Sequence, residues 1–286
     1  MQNQTIVKFI LLGLSDIYSL QVVFSLLLLM IYMVTLSGNF LLIIMVRLNP
    51  RLQTPMYFFL TNLAVIDICY STTVVPKMLV NTFSQERSIS LWGCAIQLYF
   101  HSALAAAECV ILAVMAFDRY NAICKPLQYN VIMDQKMCLF LVAGGWTAKL
   151  LHLACADIWF SEVLEYVAVA AIVGGSFVLI LVSYLFITMA ILNIKSTKQR
   201  QKAFSTCASH LAVVSLFYGT VLFMHLRPPS SYSPQQDRVV SILYTVVTPV
   251  LNPIIYSVRN KEIKAAIKKN IGTHIFLIFA GETDKH

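Results

Sequence analysis

Long apolar runs separated by short polar segments recur along the whole chain. A helix of about 20 apolar residues spans the roughly 30 Å hydrocarbon core of a bilayer. The apolar residues lie all round each predicted helix, as lipid and neighbouring helices both require, and the alternation typical of a membrane β-strand is absent. Six spans are predicted, at residues 22–46, 56–80, 95–117, 164–192, 204–226 and 239–258.

A seventh candidate, residues 137–158, is less apolar. Its first part, Met137 to Ala148, suits a membrane but covers only about half a span. The remainder contains Lys149, His152 and Asp157. A lysine near a helix centre costs about 2.5–3.5 kcal/mol on insertion scales, so hydrophobicity alone leaves this span undecided.

Composition supports a membrane protein. Of 286 residues, 58% are hydrophobic and 12% are charged, against about 25% charged in soluble domains. So few polar side chains exclude an ordinary water-facing surface. We therefore predict an all-α transmembrane bundle in which residues 1–286 form a single domain.

Basic residues set the expected orientation. They concentrate in alternate connecting segments, which the positive-inside rule places in the cytoplasm. Residues 1–21 are then extracellular, residues 259–286 form a cytoplasmic tail, and 137–158 must cross so that later spans face correctly. The net charge of +8 follows from this topology, and nucleic acid is not expected as a partner. The basic residues concerned are Arg47, Arg51, Arg119, Lys125, Lys136, Lys195, Lys198, Arg200, Lys202, Arg259, Lys261, Lys264, Lys268 and Lys269.

Both ends of the chain carry features that fit this orientation. Asn3-Gln4-Thr5 is a glycosylation sequon on the predicted outer side. Asn260 to Asn270 is typical of a basic amphipathic helix on the inner leaflet. Met1 to Asp16 shows no cleavable signal-peptide pattern, so the first span is expected to act as the insertion signal.

Four polar residues fall inside the predicted spans. Asp67 and Glu108 are carboxylates in the second and third spans, and Asn39 and Asn252 lie in the first and last. Ionisable groups are costly in lipid and are therefore functional-site candidates. Hydrogen bonding between helices is the alternative explanation.

Two further patterns suggest moving parts. Pro249 and Pro253 each remove a backbone hydrogen bond from the last span, and Asn252 is placed to satisfy a freed carbonyl. Asp118-Arg119-Tyr120 ends the third span at the cytoplasmic boundary, where an acid can pair with the arginine in a closed bundle and release it in an open one.

Several motifs together resemble the olfactory receptors, a family of rhodopsin-like G-protein-coupled receptors. The resemblance covers most of the chain, and the motifs stand in order on the right spans. The matching stretches are Pro55 to Leu60 leading to Asp67, Met115 to Cys124, Ser183-Tyr184, Lys202 to Leu211, and Pro249 to Ser257 with Arg259-Asn260.

The resemblance implies a seven-helix plasma-membrane receptor for small volatile odorants, coupled to a stimulatory, olfactory-type G protein. By analogy Arg119, Tyr184 and Tyr256 form an inner activation cluster with Asp118 and Tyr120. Asn39, Asp67 and Asn252, with Glu108 as a further candidate, line a water or sodium network. An odorant pocket in the outer half takes residues at matching positions, namely His101, Ser102, Ala105, Tyr218, Leu222, His225 and Thr245.

The chain departs from this family pattern between Gly144 and Asp157. Gly144-Gly145-Trp146 resembles the middle of a fourth helix, whereas Leu150 to Asp157 resembles the end of a long outer loop. Roughly forty residues are missing by comparison with the family pattern, so the fourth helix is abbreviated or remade. The usual disulfide partner of Cys94 is lost, and a bridge from Cys94 to Cys155 is one possibility that only geometry can decide.

Other functions stay open from the sequence alone. The missing segment suits a truncated receptor product that cannot signal. Asp67 and Glu108 could relay ions in a small transporter or channel, although no inverted repeat is seen. No nucleophile, metal cluster or phosphate loop indicates an enzyme, and no cofactor is expected. His101 and His225 as metal ligands are the weaker interpretation of those two side chains.

Overall fold

The computed structural model describes residues 8–10, 18–84, 87–147, 158–225, 242–259 and 263. Seven helices of more than ten residues form within these ranges. They are α1 (Tyr18–Leu48), α2 (Pro55–Phe83), α3 (Leu91–Cys124), α4 (Gln135–Thr147), α5 (Ile158–Leu192), α6 (Thr197–His225) and α7 (Thr248–Arg259). A π-helical turn, Leu243–Val247, leads into α7, and short helical turns at Pro50–Leu52 and Tyr129–Ile132 join α1 to α2 and α3 to α4.

Five of the described helices are long and apolar enough to cross a membrane, namely α1, α2, α3, α5 and α6. Each contains or nearly contains its predicted span and extends a few residues beyond it. The predicted boundaries fell short because hydropathy marks only the hydrocarbon core, whereas helices continue into the polar boundary. Large side chains on the outside of α1, such as Leu26 and Met30, are more than half exposed, as expected for a face covered by lipid.

The prediction of a continuous span over 137–158 is tested only in its first part, because residues 148–157 lie outside the described residues. With 13 residues, α4 is about 20 Å long at 1.5 Å per residue, against a core of about 30 Å. It begins where the Asp134 carboxylate accepts a hydrogen bond from the Met137 amide at 2.7 Å. Lys149, His152, Cys155 and Asp157 lie outside the described residues, so the second half of the predicted span stays a prediction.

The third helix is the centre of the bundle. It packs against α2, α4, α5 and α6, and the run from Ile111 to Ala116 is buried at every position. Ser90 starts this helix by accepting a hydrogen bond from the Gly93 amide at 3.1 Å. A helix with neighbours all round needs apolar side chains all round, which is why its sequence lacks a polar face.

Two glycines bring helices into close contact. A Cβ atom on Gly38 of α1 would lie 3.3 Å from Pro253 Cγ of α7, and one on Gly145 of α4 would lie 3.3 Å from Val110 Cγ1 of α3. The neighbouring Gly144 faces open space within 4 Å. The abbreviated α4 is therefore docked closely against α3 through one of its two consecutive glycines.

A small sheet links the N-terminal segment to the connection between α2 and α3. The strands β1 (Lys8–Ile10) and β2 (Ser88–Ser90) pair antiparallel, with Phe9 opposite Ile89. This pairing was not predicted, because a three-residue strand carries no periodic signal. We call this the outer end of the bundle, and the opposite end, where α1 and α3 finish and α2 and α4 begin, the inner end.

Candidate functional site

A hydrogen-bonded amide and carboxylate connect α2 to α7 in the interior. Asn252 Nδ2 donates to both carboxylate oxygens of Asp67, at 3.0 and 3.1 Å. Both side chains are almost completely buried. Such a pair stabilises the contact between two helices, because leaving either group unpaired in an apolar interior is costly.

Asn39 connects α1 to the kinked part of α7. Pro253 has no amide hydrogen, so the carbonyl of Pro249, four residues earlier, loses its normal helical partner. Asn39 Nδ2 donates to that carbonyl at 3.1 Å and to the Thr35 carbonyl at 3.0 Å. Asn252 was expected to satisfy a freed carbonyl, and for the Pro249 carbonyl this expectation is wrong. The Asn252 amide donates to Asp67 instead, and Asn39 donates to the Pro249 carbonyl.

Glu108 lies on α3 beside this pair. Its side chain is buried, and its carboxyl group is close enough to Asp67 to interact electrostatically. Among the described residues, no hydrogen-bond partner is present for Glu108 Oε1, Asn39 Oδ1 or Asn252 Oδ1. These oxygens, with the Asp67 carboxylate, form the polar core of the bundle. The chemistry of this donor set suits water or a small cation.

A second polar group lies at the inner end of α3. Arg119 Nη2 is 3.4 Å from Asp118 Oδ2, and the Tyr129 hydroxyl donates to Asp118 Oδ1 at 2.7 Å. Burial, followed by the nearby Asp118 carboxylate, raises the pKa of Tyr129. The phenol therefore stays protonated and keeps donating, so that Asp118 is held by a neighbouring arginine and by the turn that precedes α4.

His210 on α6 joins three helices, and sequence reasoning missed it. Its Nε2 lies 3.0 Å from the Leu112 carbonyl of α3, and its Nδ1 lies 2.8 Å from the Tyr184 hydroxyl of α5. A carbonyl only accepts, so Nε2 carries the hydrogen and Nδ1 of the neutral ring accepts from Tyr184. A histidine in an apolar run looks like an ordinary core residue, and only the packing of three helices distinguishes this one.

The predicted inner cluster lies in one region. Arg119 is close enough to interact electrostatically with Tyr184, Tyr256 and His210. Tyr256 is almost completely buried, and its hydroxyl has no hydrogen-bond partner among the described residues. The Tyr120 ring stacks near Phe117. The Lys125 ammonium group lies over the Tyr120 ring, 5.6 Å from the ring centroid.

Among the predicted pocket residues of α3, His101 has a partner on a second helix. The Tyr70 hydroxyl of α2 lies 2.7 Å from His101 Nε2. Ser102 donates to the Leu98 carbonyl of its own helix at 2.9 Å, and Ala105 packs half-buried against the core. His101 therefore faces α2 and connects the two helices.

The predicted pocket residues of α6 and α7 have different environments. Tyr218 is buried and its hydroxyl is 2.7 Å from Ser176 Oγ of α5. Thr245 is buried in the π-helical turn, whereas Leu222 is exposed. The side chain of His225 lies outside the described residues. None of the six predicted pocket residues whose side chains are described lines a cavity of about 710 Å³ at the inner end.

Several other predictions fall on positions that the structure does not describe. Cys94 is half-buried in the first turn of α3, but Cys155 lies outside the described residues, so their bridge stays a prediction. The same holds for the sequon at Asn3 and for the amphipathic helix from Asn260 to Asn270.

Comparison with known proteins assigns the family. Residues 38–167 match the family described as "7 transmembrane receptor (rhodopsin family)", and residues 145–274 match the family "Olfactory receptor". The chain is 43% identical to human olfactory receptor 5G3, over 97% of this chain and 98% of the relative. It is 42% identical to mouse olfactory receptor 5G29 (94% and 96% covered) and 42% identical to the dog olfactory receptor-like protein OLF1 (94% and 97% covered).

The alignment lengths agree with a missing segment. The comparison with olfactory receptor 5G3 extends over 309 positions, which exceeds the 286 residues of this chain by 23. At least 23 positions of the relative therefore have no counterpart here.

These relatives confirm the predicted rhodopsin-like seven-helix class and the prediction that the chain is not an enzyme. They also imply a G protein and small ligands as partners. The chain belongs to the olfactory receptor family of rhodopsin-like G-protein-coupled receptors and is a multi-pass membrane protein.

Proposed function

We propose that this receptor binds a small volatile odorant in the outer half of the bundle and activates a stimulatory, olfactory-type G protein at the inner end. In this proposal it lies in the plasma membrane, with residues 1–21 extracellular and 259–286 cytoplasmic. The observation that carries the proposal is the contact of His210 with both α3 and α5 beside Arg119. It supports an α6 that is held in place by a few specific polar contacts.

The ligand would act on the same helix that carries His210. Tyr218 is one of the proposed pocket residues, with His101, Ser102, Ala105, Leu222, His225 and Thr245. It lies eight residues after His210, which is about 12 Å along α6. A ligand that competes for the Tyr218–Ser176 hydrogen bond would favour another position of α6, and its differential affinity for the two positions would shift their populations.

Movement of α6 would release the inner cluster. Loss of the His210 contacts to Tyr184 and Leu112 would free Tyr184 to approach Arg119. Arg119 would then exchange Asp118 for a partner on the G protein, with Tyr120 and Tyr256 nearby. The exchange is feasible because the Arg119–Asp118 contact is long, at 3.4 Å.

The polar core would respond to the same movement. Asn39, Asp67, Glu108 and Asn252 offer a carboxylate pair and unpartnered amide oxygens between α1, α2, α3 and α7. We propose that water or sodium occupies this region in the resting receptor. Two nearby carboxylates favour a bound cation or a shared proton, because they cannot both be charged at low cost.

A heterologous cAMP assay with a broad odorant panel tests the proposal. The unmodified receptor should respond to at least one odorant. Arg119→Ala should abolish that response at equal surface expression, whereas Arg51→Ala, which removes an exposed charge at the same end, should retain it. A silent receptor with verified surface expression would contradict the proposal.

The abbreviated α4 favours a second candidate, a receptor product that cannot signal. The described part of the helix covers 13 residues, and at least 23 positions of human olfactory receptor 5G3 have no counterpart in this chain. Such a chain should stay in the endoplasmic reticulum with immature glycans on Asn3. Surface staining and glycosidase sensitivity measure this, and efficient export of a maturely glycosylated chain would exclude the candidate.

A further inference from the structure

A groove at the inner end is separate from both proposed sites. It is a cavity of about 710 Å³ between the end of α1, the start of α2 and the start of α4. Arg47 contributes from α1, Phe58 and Val65 from α2, and Gln135 and Leu139 from α4. Its volume is within the range of small-molecule sites.

The depth of the groove matches one leaflet of a bilayer. Pro55, Phe58, Asn62 and Val65 all line it, and spacings of three and four place them on one face of α2. Pro55 and Val65 are ten positions apart, which corresponds to about 15 Å, half of the roughly 30 Å hydrocarbon core. The groove therefore runs from the polar boundary to about the bilayer centre.

Polarity changes along that depth. The mouth carries Arg47, Gln53, Thr54 and Gln135, which are all exposed. The deeper part carries Phe58 and Val65 of α2, together with Thr61 and Asn62, which donate hydrogen bonds to carbonyls of their own helix. On the side of α4, Leu139 is 51% exposed, although it is an apolar residue. A charged mouth above a mainly apolar wall fits an amphiphile with its head at the boundary and its chain along the wall.

The charges at the mouth favour an anionic head. Arg47 lines the groove, and no acidic residue is among the described residues that line it. Arg51 and Lys136 are exposed nearby in the sequence. The closest acid along the chain, Asp134, accepts the hydrogen bond from the Met137 amide that starts α4. The local balance is therefore positive.

We propose that this groove binds one anionic glycerophospholipid of the inner leaflet. Its phosphate contacts Arg47, and one acyl chain lies along Phe58, Val65 and Leu139. The proposal uses the orientation proposed above, but it does not depend on odorant binding or G-protein coupling. A lipid held here connects the ends of α1, α2 and α4, and so supports the abbreviated fourth helix.

Lipid retention by the purified full-length receptor tests this site. The receptor is reconstituted in nanodiscs containing nine parts phosphatidylcholine to one part phosphatidylserine, then re-extracted, and retained lipid is measured by mass spectrometry. Phosphatidylserine should be enriched over its bulk fraction in the unmodified chain. Arg47→Gln should reduce this enrichment about fivefold, as expected for loss of one basic contact at a membrane surface. Arg51→Gln, the matched exposed cation outside the lining, should leave it nearly unchanged.

A second pair of variants tests the acyl-chain part. Val65→Trp places a large ring in the groove and should reduce retention of both lipids. Val80 is exposed on α2 outside the groove, so Val80→Trp should leave retention unchanged. Arg47→Lys should keep most of the enrichment, which separates loss of charge from misfolding. Equal losses in Arg47→Gln and Arg51→Gln would indicate diffuse basic attraction and overturn the proposal, as would unchanged retention in Val65→Trp.

Discussion

The inner and outer halves of the bundle are held together in different ways. In the inner half, single polar side chains join α1 to α7, α2 to α7, and α6 to both α3 and α5. In the outer part of α1, α2 and α3, described polar contacts join these helices to one another, as in Tyr70 with His101 and Gln97 with Thr73, and Lys77 of α2 donates to the Ser88 carbonyl of β2. The inner contacts are therefore buried, whereas those of α1, α2 and α3 in the outer part are only partly buried. The outer half also has one buried polar contact, between Ser176 of α5 and Tyr218 of α6.

The largest effect is expected from breaking the polar core. Asp67→Leu removes the acceptor for both Asn252 hydrogen bonds and leaves a buried amide without a partner. The loss of unfolding free energy should be about 3 kcal/mol, the upper part of the range for an orphaned buried group. Thermal unfolding of the receptor in detergent measures it.

Asp67→Asn is the matched control, because it keeps an acceptor oxygen and changes the charge. It should lose clearly less stability than Asp67→Leu. Equal losses in the two variants would show that the carboxylate charge, rather than the hydrogen bond, holds α2 to α7.

The next effect concerns the docking of α4. Gly145→Leu forces a side chain against Val110, where a Cβ atom alone would already be 3.3 Å away. Overpacking of this kind costs about 1–3 kcal/mol. Gly144→Leu faces open space and should be neutral or slightly stabilising, since leucine favours helix more than glycine does.

If Gly145→Leu were as stable as Gly144→Leu, α4 would not be docked against α3 in solution. The inner and outer halves of the bundle would then differ more in how firmly their helices are held together than the structure indicates. Surface expression of the two variants provides a second measurement of the same contact.

A smaller effect is expected at the inner end. Tyr129→Phe removes the hydrogen bond to Asp118, which should cost about 1 kcal/mol and release part of the restraint on Arg119. Basal cAMP should rise in this variant. Asn130→Ala changes an exposed neighbour and should leave basal cAMP unchanged. If Asp118 did not restrain Arg119, basal cAMP would be unchanged in Tyr129→Phe as well.

The smallest effect is expected in the outer half. Gln97→Ala removes one hydrogen bond from a half-buried side chain to the Thr73 carbonyl and should cost about 0.5 kcal/mol. A loss as large as that of Asp67→Leu would contradict the comparison, because it would show that a partly buried outer contact contributes as much as a buried inner one. Thermal unfolding under the same conditions decides this.

The sequence predicted the spans because each depends on local composition. The predicted 56–80 and 95–117 lie within Pro55–Phe83 and Leu91–Cys124, and the polar residues Asp67, Glu108 and Asn252 stand out in apolar runs. The partners of these groups could not be predicted in the same way. Asn252 is near Pro249 in the sequence, which suggested a local role, yet its partner Asp67 is 185 positions away. Hydrogen bonds between helices depend on the rotation of each helix, and periodicity in an all-apolar span does not fix that rotation.

The contact of Asn39 with Pro249 has a consequence for biosynthesis. The two residues are 210 positions apart, so the first helix to leave the ribosome supplies the hydrogen bond that the last helix lacks. Until α7 enters the membrane beside α1, the Pro249 carbonyl has no donor from its own helix. A ribosome-bound chain that ends before α7 leaves the Asn39 amide without this acceptor. Quality-control factors that recognise polar groups in membrane helices could distinguish such a chain from a finished receptor.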